Sequence, residues 1–145
     1  MERVDDDVDV FLHSARMADD LARLDGVIRE VFPEEERVLW RGRMWGGTEQ
    51  AIVGYVAVVQ SRPRGGDVEW FLVGLAEQKN HLSVYVNAVE DGVYLVQARA
   101  ARLGRVKVGA AAVTFRSVSD IDLDELRALL IRARELNASG DEGAK

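Results

Sequence analysis

The chain has 145 residues, of which 48% are hydrophobic and 30% are charged, and its formal net charge at pH 7 is −6. This length and hydrophobic content suit one domain with a single core, and they exclude a chain that is disordered throughout. The absence of cysteine excludes a disulfide scaffold, a thiolate zinc site and a cysteine nucleophile. The longest apolar run, Ala51–Val59, is too short to cross a membrane. The acidic N-terminus is unlike a secretory signal, so we expect a cytoplasmic protein.

Charge is distributed unevenly along the chain. Residues 1–36 carry 12 acidic and 4 basic side chains, whereas residues 37–119 carry 6 acidic and 11 basic side chains. The overall acidity argues against nucleic-acid binding, which requires many cationic contacts with phosphates. The basic middle segment is compatible with a site for a small anion, although solvated charges on strands and helices would produce the same distribution.

The first 32 residues predict helical structure. Hydrophobic positions recur every three or four residues, in one stripe over residues 8–15 and a second over residues 21–31. Asp19 is placed to cap the second helix, and Pro33 ends it, because the residue before a proline disfavours helical geometry.

The middle of the chain predicts strands. Ala51–Val59 is rich in β-branched side chains and is apolar on both faces, which is typical of a central strand. The other predicted strands are Val38–Trp40, Trp70–Leu75, His81–Val86, Arg105–Val108 and Val113–Arg116.

Capping residues predict the remaining helices. Asp91 is placed to cap a helix over about Val93–Leu103, with Gly104 just after its end, and Asp122 is placed to cap the closing helix. These elements predict an α+β fold, with a single, mainly antiparallel sheet of five or six strands and helices packed on one face. We expect residues 1–136 to form this domain and residues 137–145 to form a flexible tail.

Polar residues of the predicted strands form the first candidate site. Alternation places His81 and Tyr85 on the polar face of their strand, and Lys79 falls on the same side. Lys107 and Arg116 lie on the polar face of the later hairpin. If these faces coincide, the five side chains line a basic concavity suited to a carboxylate or a phosphate. The alternative is an ordinary sheet surface in contact with solvent.

Carboxylates near the N-terminus form the second candidate site. On a first helix, Asp5 and Asp9 would lie one turn apart, with Asp6 beside them. Carboxylate oxygens are suitable ligands for Fe²⁺, Mn²⁺ or Ca²⁺. Acidic helix faces without any metal are also common.

Catalytic motifs are scarce in the sequence. Ser83 and His81 are two residues apart on one predicted strand, but the chain contains no nucleophile elbow, phosphate loop or dinucleotide-binding motif. We therefore expect a protein that is not an enzyme, with hydrolysis as the least favoured alternative.

Two segments carry a resemblance to a known family. Trp70–Tyr85 (WFLVGLAEQKNHLSVY) followed by Leu103–Gly109 (LGRVKVG) resembles the YdhG-like family of domains of unknown function. The match also includes Trp40–Gly42, Trp45–Glu49, Asp91–Leu95 and Asp120–Leu123, and it spans about Val4 to Leu136. Relatives often carry a Lys and a Cys after the hairpin glycine, where this chain has Ala110 and Ala112.

The resemblance implies an α+β sheet with helices on one face and no established enzymatic activity. Some relatives resemble frataxin and have been connected with intracellular iron handling, which makes an iron-binding or iron-delivery protein the alternative interpretation. Our first hypothesis is a binding module, without a cofactor, for a small anionic ligand or a protein partner. A surface near Trp40 and Trp45 is compatible with a homodimer, although tryptophan more often packs in a core.

Overall fold

The computed structural model describes residues 1–43, 49–62 and 66–143. For residues 60–62 and 140–143 it describes the backbone only. Trp45 and most of the segment Trp45–Glu49 therefore lie outside the described residues. The strands are β1 (Glu2–Val4), β2 (Arg37–Arg43), β3 (Glu49–Arg62), β4 (Gly66–Glu77), β5 (Leu82–Val86), β6 (Val89–Glu90), β7 (Val93–Tyr94), β8 (Lys107–Val108) and β9 (Ala112–Phe115). The helices are α1 (Val8–Ser14), α2 (Ala18–Val31), α3 (Leu95–Ala98) and α4 (Leu123–Gly143), with short 3₁₀ helices at Ala100–Arg102 and Val118–Asp120.

Seven strands form one antiparallel sheet in the order β1-β2-β3-β4-β5-β9-β8, and β6 and β7 form a separate hairpin. The predicted α+β class and antiparallel sheet are confirmed, but the expected number of five or six strands is wrong. The additional strand is β1, in which Arg3 pairs with Trp40 and Val4 pairs with Leu39. Three residues are too few for alternation to be recognised, and the acidic segment that follows β1 favoured a helical interpretation.

Hydrophobic side chains form two clusters. The main core joins residues of α1, α2 and α4 to alternate residues of the central strands, including Leu39, Val53 and Val73. The aromatic cluster consists of Trp40, Ile52, Phe71 and Ala76, with Met1, Val38, Trp70 and Tyr85 packed against it. Adjacent strand residues belong to different clusters because successive side chains point to opposite faces of a sheet.

The backbone changes its alternation within β4, where Phe71 pairs with Ala57 of β3. Trp70 and Phe71 are consecutive, yet both contribute to the aromatic cluster, whereas Leu72 and Val73 both contribute to the main core. Opposite this point, Val56 has a φ of +66°, a left-handed conformation that is rare and strained for a β-branched residue. This local rotation brings two large aromatic rings to one face of the sheet.

A buried polar group connects α2 to the sheet. The hydroxyl of Tyr55 in β3 donates a hydrogen bond of 2.6 Å to the carboxylate of Asp25 in α2, and Arg37 in β2 donates to the same carboxylate at 3.3 Å. Arg37 also forms an ion pair of 3.0 Å with Asp9 in α1. Burial, followed by the charge of Asp25, raises the pKa of the Tyr55 phenol well above its usual value. These contacts fix both N-terminal helices against β2 and β3.

The helix starts near the N-terminus differ from those expected. The chain is not helical from its beginning, because β1 and a loop precede α1, and the carboxylate of Asp7 caps α1 by accepting from the Val10 N–H at 3.0 Å. Asp19 does not cap α2, which begins at Ala18 after a residue without a side-chain cap. Its neighbour Asp20 instead accepts a hydrogen bond of 3.1 Å from the Val118 N–H. The predicted helix end before Pro33 is confirmed.

The expected helix over Val93–Leu103 is wrong at its first two residues, and the rest is divided into α3 and a 3₁₀ helix. Asp91 and Gly92 have φ values of 54° and 80°, and they form the turn between β6 and β7. An Asp-Gly pair is well suited to a hairpin turn that requires two positive φ angles. Helical structure begins only at Leu95.

Two predicted capping positions are confirmed. Gly104 follows the 3₁₀ helix with a φ of +104°, and the Asp122 carboxylate accepts from the Glu125 N–H at 3.0 Å at the start of α4. Helix α4 runs to Gly143, past the expected domain boundary at residue 136. The flexibility of residues 137–145 stays a prediction. In the described ranges, no helix has the length and apolar character that crossing a membrane would require.

Candidate ligand groove

Two paired glycines form the floor under the aromatic cluster. Gly54 of β3 pairs with Gly74 of β4, which in turn pairs with Tyr85 of β5. A Cβ atom added at Gly74 would lie 2.5 Å from Cε1 of Phe71, and one added at Gly54 would lie 2.8 Å from Nε1 of Trp40. The absence of side chains at both positions therefore allows these rings to lie against the sheet.

The amide of Gln78 organises the polar part of the same face. Its Nε2 donates to Oε1 of Gln50 at 3.0 Å and to the Tyr85 hydroxyl at 3.1 Å. Its Oε1 accepts a hydrogen bond of 2.5 Å from the buried Ser83 hydroxyl. This network holds the side chains of Gln78, Ser83 and Tyr85 in fixed orientations and connects β5 to Gln50 of β3.

A groove of about 900 Å³ lies over this network, within the usual range of about 300–1,000 Å³ for ligand pockets. Among the described residues, four aromatic side chains line it, namely those of Trp70, Phe71, Tyr85 and Tyr94. Small residues of the segment 109–112 line another part of it. Such a groove offers flat apolar contact area together with a few polar groups.

Lys79 and His81 supply the basic side chains of the groove. Among its described lining residues, none is an aspartate or a glutamate. The turn that carries them is closed by a hydrogen bond of 2.8 Å from the Gln78 N–H to the His81 carbonyl. The guanidinium of Arg16 binds the carbonyls of Gln78 and Lys79. The linker between α1 and α2 therefore fixes the backbone on which the basic side chains stand.

Three of the five residues predicted for an anion site line this groove, namely Lys79, His81 and Tyr85. The predicted alternation of β5 is also found, since Leu82, Val84 and Val86 all belong to the main core. Lys107 pairs with Thr114, which pairs with Ser83, so Lys107 shares this face of the sheet. It lies on the edge strand and does not line the groove.

Arg116 is exposed just after the end of β9 and does not line the groove either. Its role in an anion site stays a prediction.

Gln50 and Gln78 had no signal in the sequence, whereas the alternation of β5 places Asn87 on the polar face with His81 and Tyr85. Gln50 and Gln78 meet because β3 and β4 pair over a long hairpin, and Asn87 reaches the Phe71 carbonyl with a hydrogen bond of 2.8 Å. The register of distant strands determines these contacts, and a single sequence does not specify that register. For Trp70 and Phe71, only the change of alternation places both rings in the groove.

The three aspartates predicted to bind metal do not share a helix. Asp5 and Asp6 lie in the loop before α1, so the expected spacing of one helical turn between Asp5 and Asp9 is wrong. Asp6 forms an ion pair of 3.1 Å with Arg41. The hydrogen bond from Arg37 lowers the pKa of Asp9. Over the ranges 1–43, 49–62 and 66–143, no three histidine, aspartate or glutamate side chains are grouped to hold a metal ion.

Comparisons with known proteins leave the family resemblance as a prediction. No protein-family model matches the chain, and neither a curated protein nor a solved structure matches it.

Proposed function

We propose that the chain is a binding protein whose groove holds a small anionic ligand with a flat apolar ring. The observation that carries this proposal is a groove of about 900 Å³ whose described residues combine four aromatic side chains with Lys79 and His81. The aromatic rings suit a flat apolar group, and the basic side chains suit a carboxylate or phosphate. A ligand that carried only one of these features would leave the other part of the groove unused.

The two kinds of contact contribute unequally. An ion pair with the exposed Lys79 would stabilise the complex by about 0–1 kcal/mol, because water and salt screen the charge. Burial of an aromatic ring contributes about 25 cal/mol per Å² of apolar surface. We therefore expect the ring to supply most of the affinity and the basic side chains to select an anion over its neutral counterpart.

The proposal is for binding without catalysis. The Ser83 hydroxyl donates its hydrogen to the Gln78 amide, so this interaction does not activate the oxygen as a nucleophile. We further propose that the longer helices cover the face of the sheet that carries Tyr55, which would leave the groove face accessible. A cytoplasmic location and membership of the YdhG-like family belong to the same proposal.

The test uses indole-3-acetate as the anionic probe and indole-3-acetamide as its neutral counterpart. Titrations followed by ¹H–¹⁵N NMR on the whole chain should show saturable shifts at the groove residues Ser83, Tyr85 and Thr114 with the acetate. The acetamide should bind about two- to fivefold more weakly, because one ion pair of at most about 1 kcal/mol is lost.

A matched pair of lysine variants tests the position of the charge. Lys79→Gln should remove the preference for the acetate over the acetamide, whereas Lys107→Gln, on the same face but outside the groove, should retain it. Equal affinity of the wild-type protein for both probes would contradict an anion site. If only Lys107→Gln loses the preference for the acetate, the anion binds at the edge strand β8 and not in the groove.

A further inference from the structure

A second cavity lies next to the groove and shares Trp70 and Phe71 with it. Its volume is about 240 Å³, which is below the usual range for a drug-sized ligand and suits a small chemical group. Trp40 and Trp70 both line this cavity, and their ring centroids are 5.1 Å apart with an interplanar angle of 68°. The cavity therefore presents indole rings in two different orientations.

The charged residues of this cavity differ from those of the groove. Glu35 and Glu36 line it, both are exposed, and neither takes part in an ion pair within the described ranges. Arg3 is the one basic side chain among the described residues of the lining, and its guanidinium forms an ion pair of 2.8 Å with Glu69. The charge of the described side chains that line this cavity is therefore negative, whereas the groove is lined by the basic residues Lys79 and His81.

Among the described lining residues of the cavity, the uncharged side chains provide no hydrogen-bond acceptor. Val38, Val56 and Ala57 are hydrocarbon, and the indoles of Trp40 and Trp70 carry only an N–H donor. A primary ammonium would have to give up some of its hydrogen bonds with water on entering such a site. A quaternary ammonium has no N–H to satisfy, its methyl groups pack against apolar walls, and its charge is attracted by indole faces and by carboxylates.

We propose that this cavity binds a quaternary ammonium group. The inference goes beyond the anion groove, because it concerns a separate cavity with the opposite charge. Trp40 and Trp70 supply the aromatic walls, and Glu35 and Glu36 supply the negative charge at the rim. Either a free small cation or a trimethylated lysine side chain of another protein presents this group.

The primary test compares choline with 3,3-dimethyl-1-butanol, which has the same shape but a carbon atom in place of the charged nitrogen. Both are titrated into the wild-type chain while the indole Nε1–H signals of Trp40 and Trp70 are followed by NMR. We expect saturable shifts of both signals with choline and binding at least about fivefold weaker with the alcohol. Absence of choline binding, or equal binding of the alcohol, would overturn the proposal.

Variants at exposed carboxylates make the test specific. The double variant Glu35→Gln/Glu36→Gln should weaken choline binding by about threefold or more, whereas Glu34→Gln, at an exposed position outside the cavity, should bind as the wild type does. Trp70→Leu should also weaken binding, and its fold is checked by circular dichroism. Equal affinities of the double variant and the Glu34→Gln control would contradict the assignment of the rim charge.

Two further arms separate the sources and the sites. A short peptide with trimethyllysine that binds more tightly than choline would identify a protein side chain as the source, and tighter binding of choline would identify a free cation. Indole-3-acetate reports on the groove in the same samples. Binding of choline without binding of indole-3-acetate would reject the proposed function and leave the ammonium site intact, and the reverse result would reject only the ammonium site.

Discussion

Tyr55 and Tyr85 lie on opposite faces of the same sheet and show what each face does. Tyr55 is 1% exposed and donates its hydrogen bond to the charged carboxylate of Asp25. Tyr85 is partly exposed, receives its hydrogen bond from the neutral amide of Gln78, and lines a groove. The face of Tyr55 thus pairs its polar atoms within the core, whereas the face of Tyr85 keeps oriented polar atoms next to open space.

This difference separates stability from recognition. A buried hydroxyl bonded to a carboxylate is costly to disrupt, because any substitution leaves a charged or polar partner without a bond. Neutral polar groups at the edge of a groove can exchange water for a ligand at little cost. We therefore expect substitutions of the polar side chains bonded to Tyr55 to change mainly the free energy of unfolding, and substitutions of the polar side chains around Tyr85 to change mainly binding.

The largest expected effect is at Asp25. Asp25→Ala leaves the guanidinium of Arg37 and the hydroxyl of Tyr55 without their shared buried partner, and it should lower the free energy of unfolding by about 3 kcal/mol. Urea denaturation followed by circular dichroism measures this change. If the urea midpoint stays at the wild-type value, the bonds of the Asp25 carboxylate to Tyr55 and Arg37 contribute little to stability.

Asp9→Asn is the matched control, because Asp9 contacts the same Arg37 but is 61% exposed. At pH 7 its effect should be much smaller than that of Asp25→Ala, since water screens an exposed pair. The lowered pKa of Asp9 fixes the sign of its pH dependence. Its contribution is present above the pKa of the unfolded chain, about 4, and is lost as the pH falls through the lower folded value. An equal loss of stability in both variants would contradict the contrast.

Local patterns predicted the elements that depend on neighbouring residues. The alternation of β5, the end of α2 before Pro33 and the caps at Gly104 and Asp122 all follow from side chains within a few positions of one another. One error of this kind, the helix cap expected at Asp91, has a local explanation. At Asp91 the same residue type suits a helix cap and a hairpin turn, and only the following Gly92 favours the turn.

Contacts between distant strands were not predictable in this way. The meeting of Gln50, Gln78 and Tyr85 depends on the register of three strands, and the joint position of Trp70 and Phe71 depends on the strained backbone of Val56. A register is set by the total packing of the sheet, which a single sequence does not reveal. The sequence therefore predicted the polar face of β5 that lines the groove, but not the aromatic cluster or the hydrogen bonds of the Gln78 amide.

The second prediction tests the glycine floor on the groove face. Gly74→Ala places a methyl group where the nearest ring atom of Phe71 would lie at 2.5 Å and Cγ2 of Ile52 at 2.9 Å. Overpacking of this kind should cost about 1–3 kcal/mol of stability and should displace the Phe71 ring from the groove. Thermal and urea denaturation measure the first effect, and titration with indole-3-acetate measures the second.

Gly26→Ala is the control, for which we expect a gain in stability instead of a loss. Gly26 lies in α2 and an added Cβ would meet nothing within 4 Å, so this variant should gain about 0.5–1 kcal/mol from the helix propensity of alanine. The double variant Gly74→Ala/Phe71→Leu should recover part of the stability lost in Gly74→Ala, because the smaller side chain makes room for the methyl group. If the stability losses of the two single variants simply add in the double variant, the strain in Gly74→Ala does not come from contact with Phe71.

The smallest expected effect concerns the pH dependence of the buried face. Burial raises the pKa of Tyr55 well above its usual value, so the folded chain keeps a proton that the unfolded chain releases above about pH 10. The stabilisation is complete below the unfolded pKa and declines as the pH rises towards the folded value, by at most about 1.4 kcal/mol per pH unit. Urea midpoints measured between pH 9 and pH 11 should therefore fall less steeply for Tyr55→Phe than for the wild type. Tyr55→Phe is already destabilised at pH 7 by the loss of the hydrogen bond to Asp25, so the comparison uses the slopes of the two curves of urea midpoint against pH. Equal slopes would show that the Tyr55 phenol does not retain its proton in the folded chain.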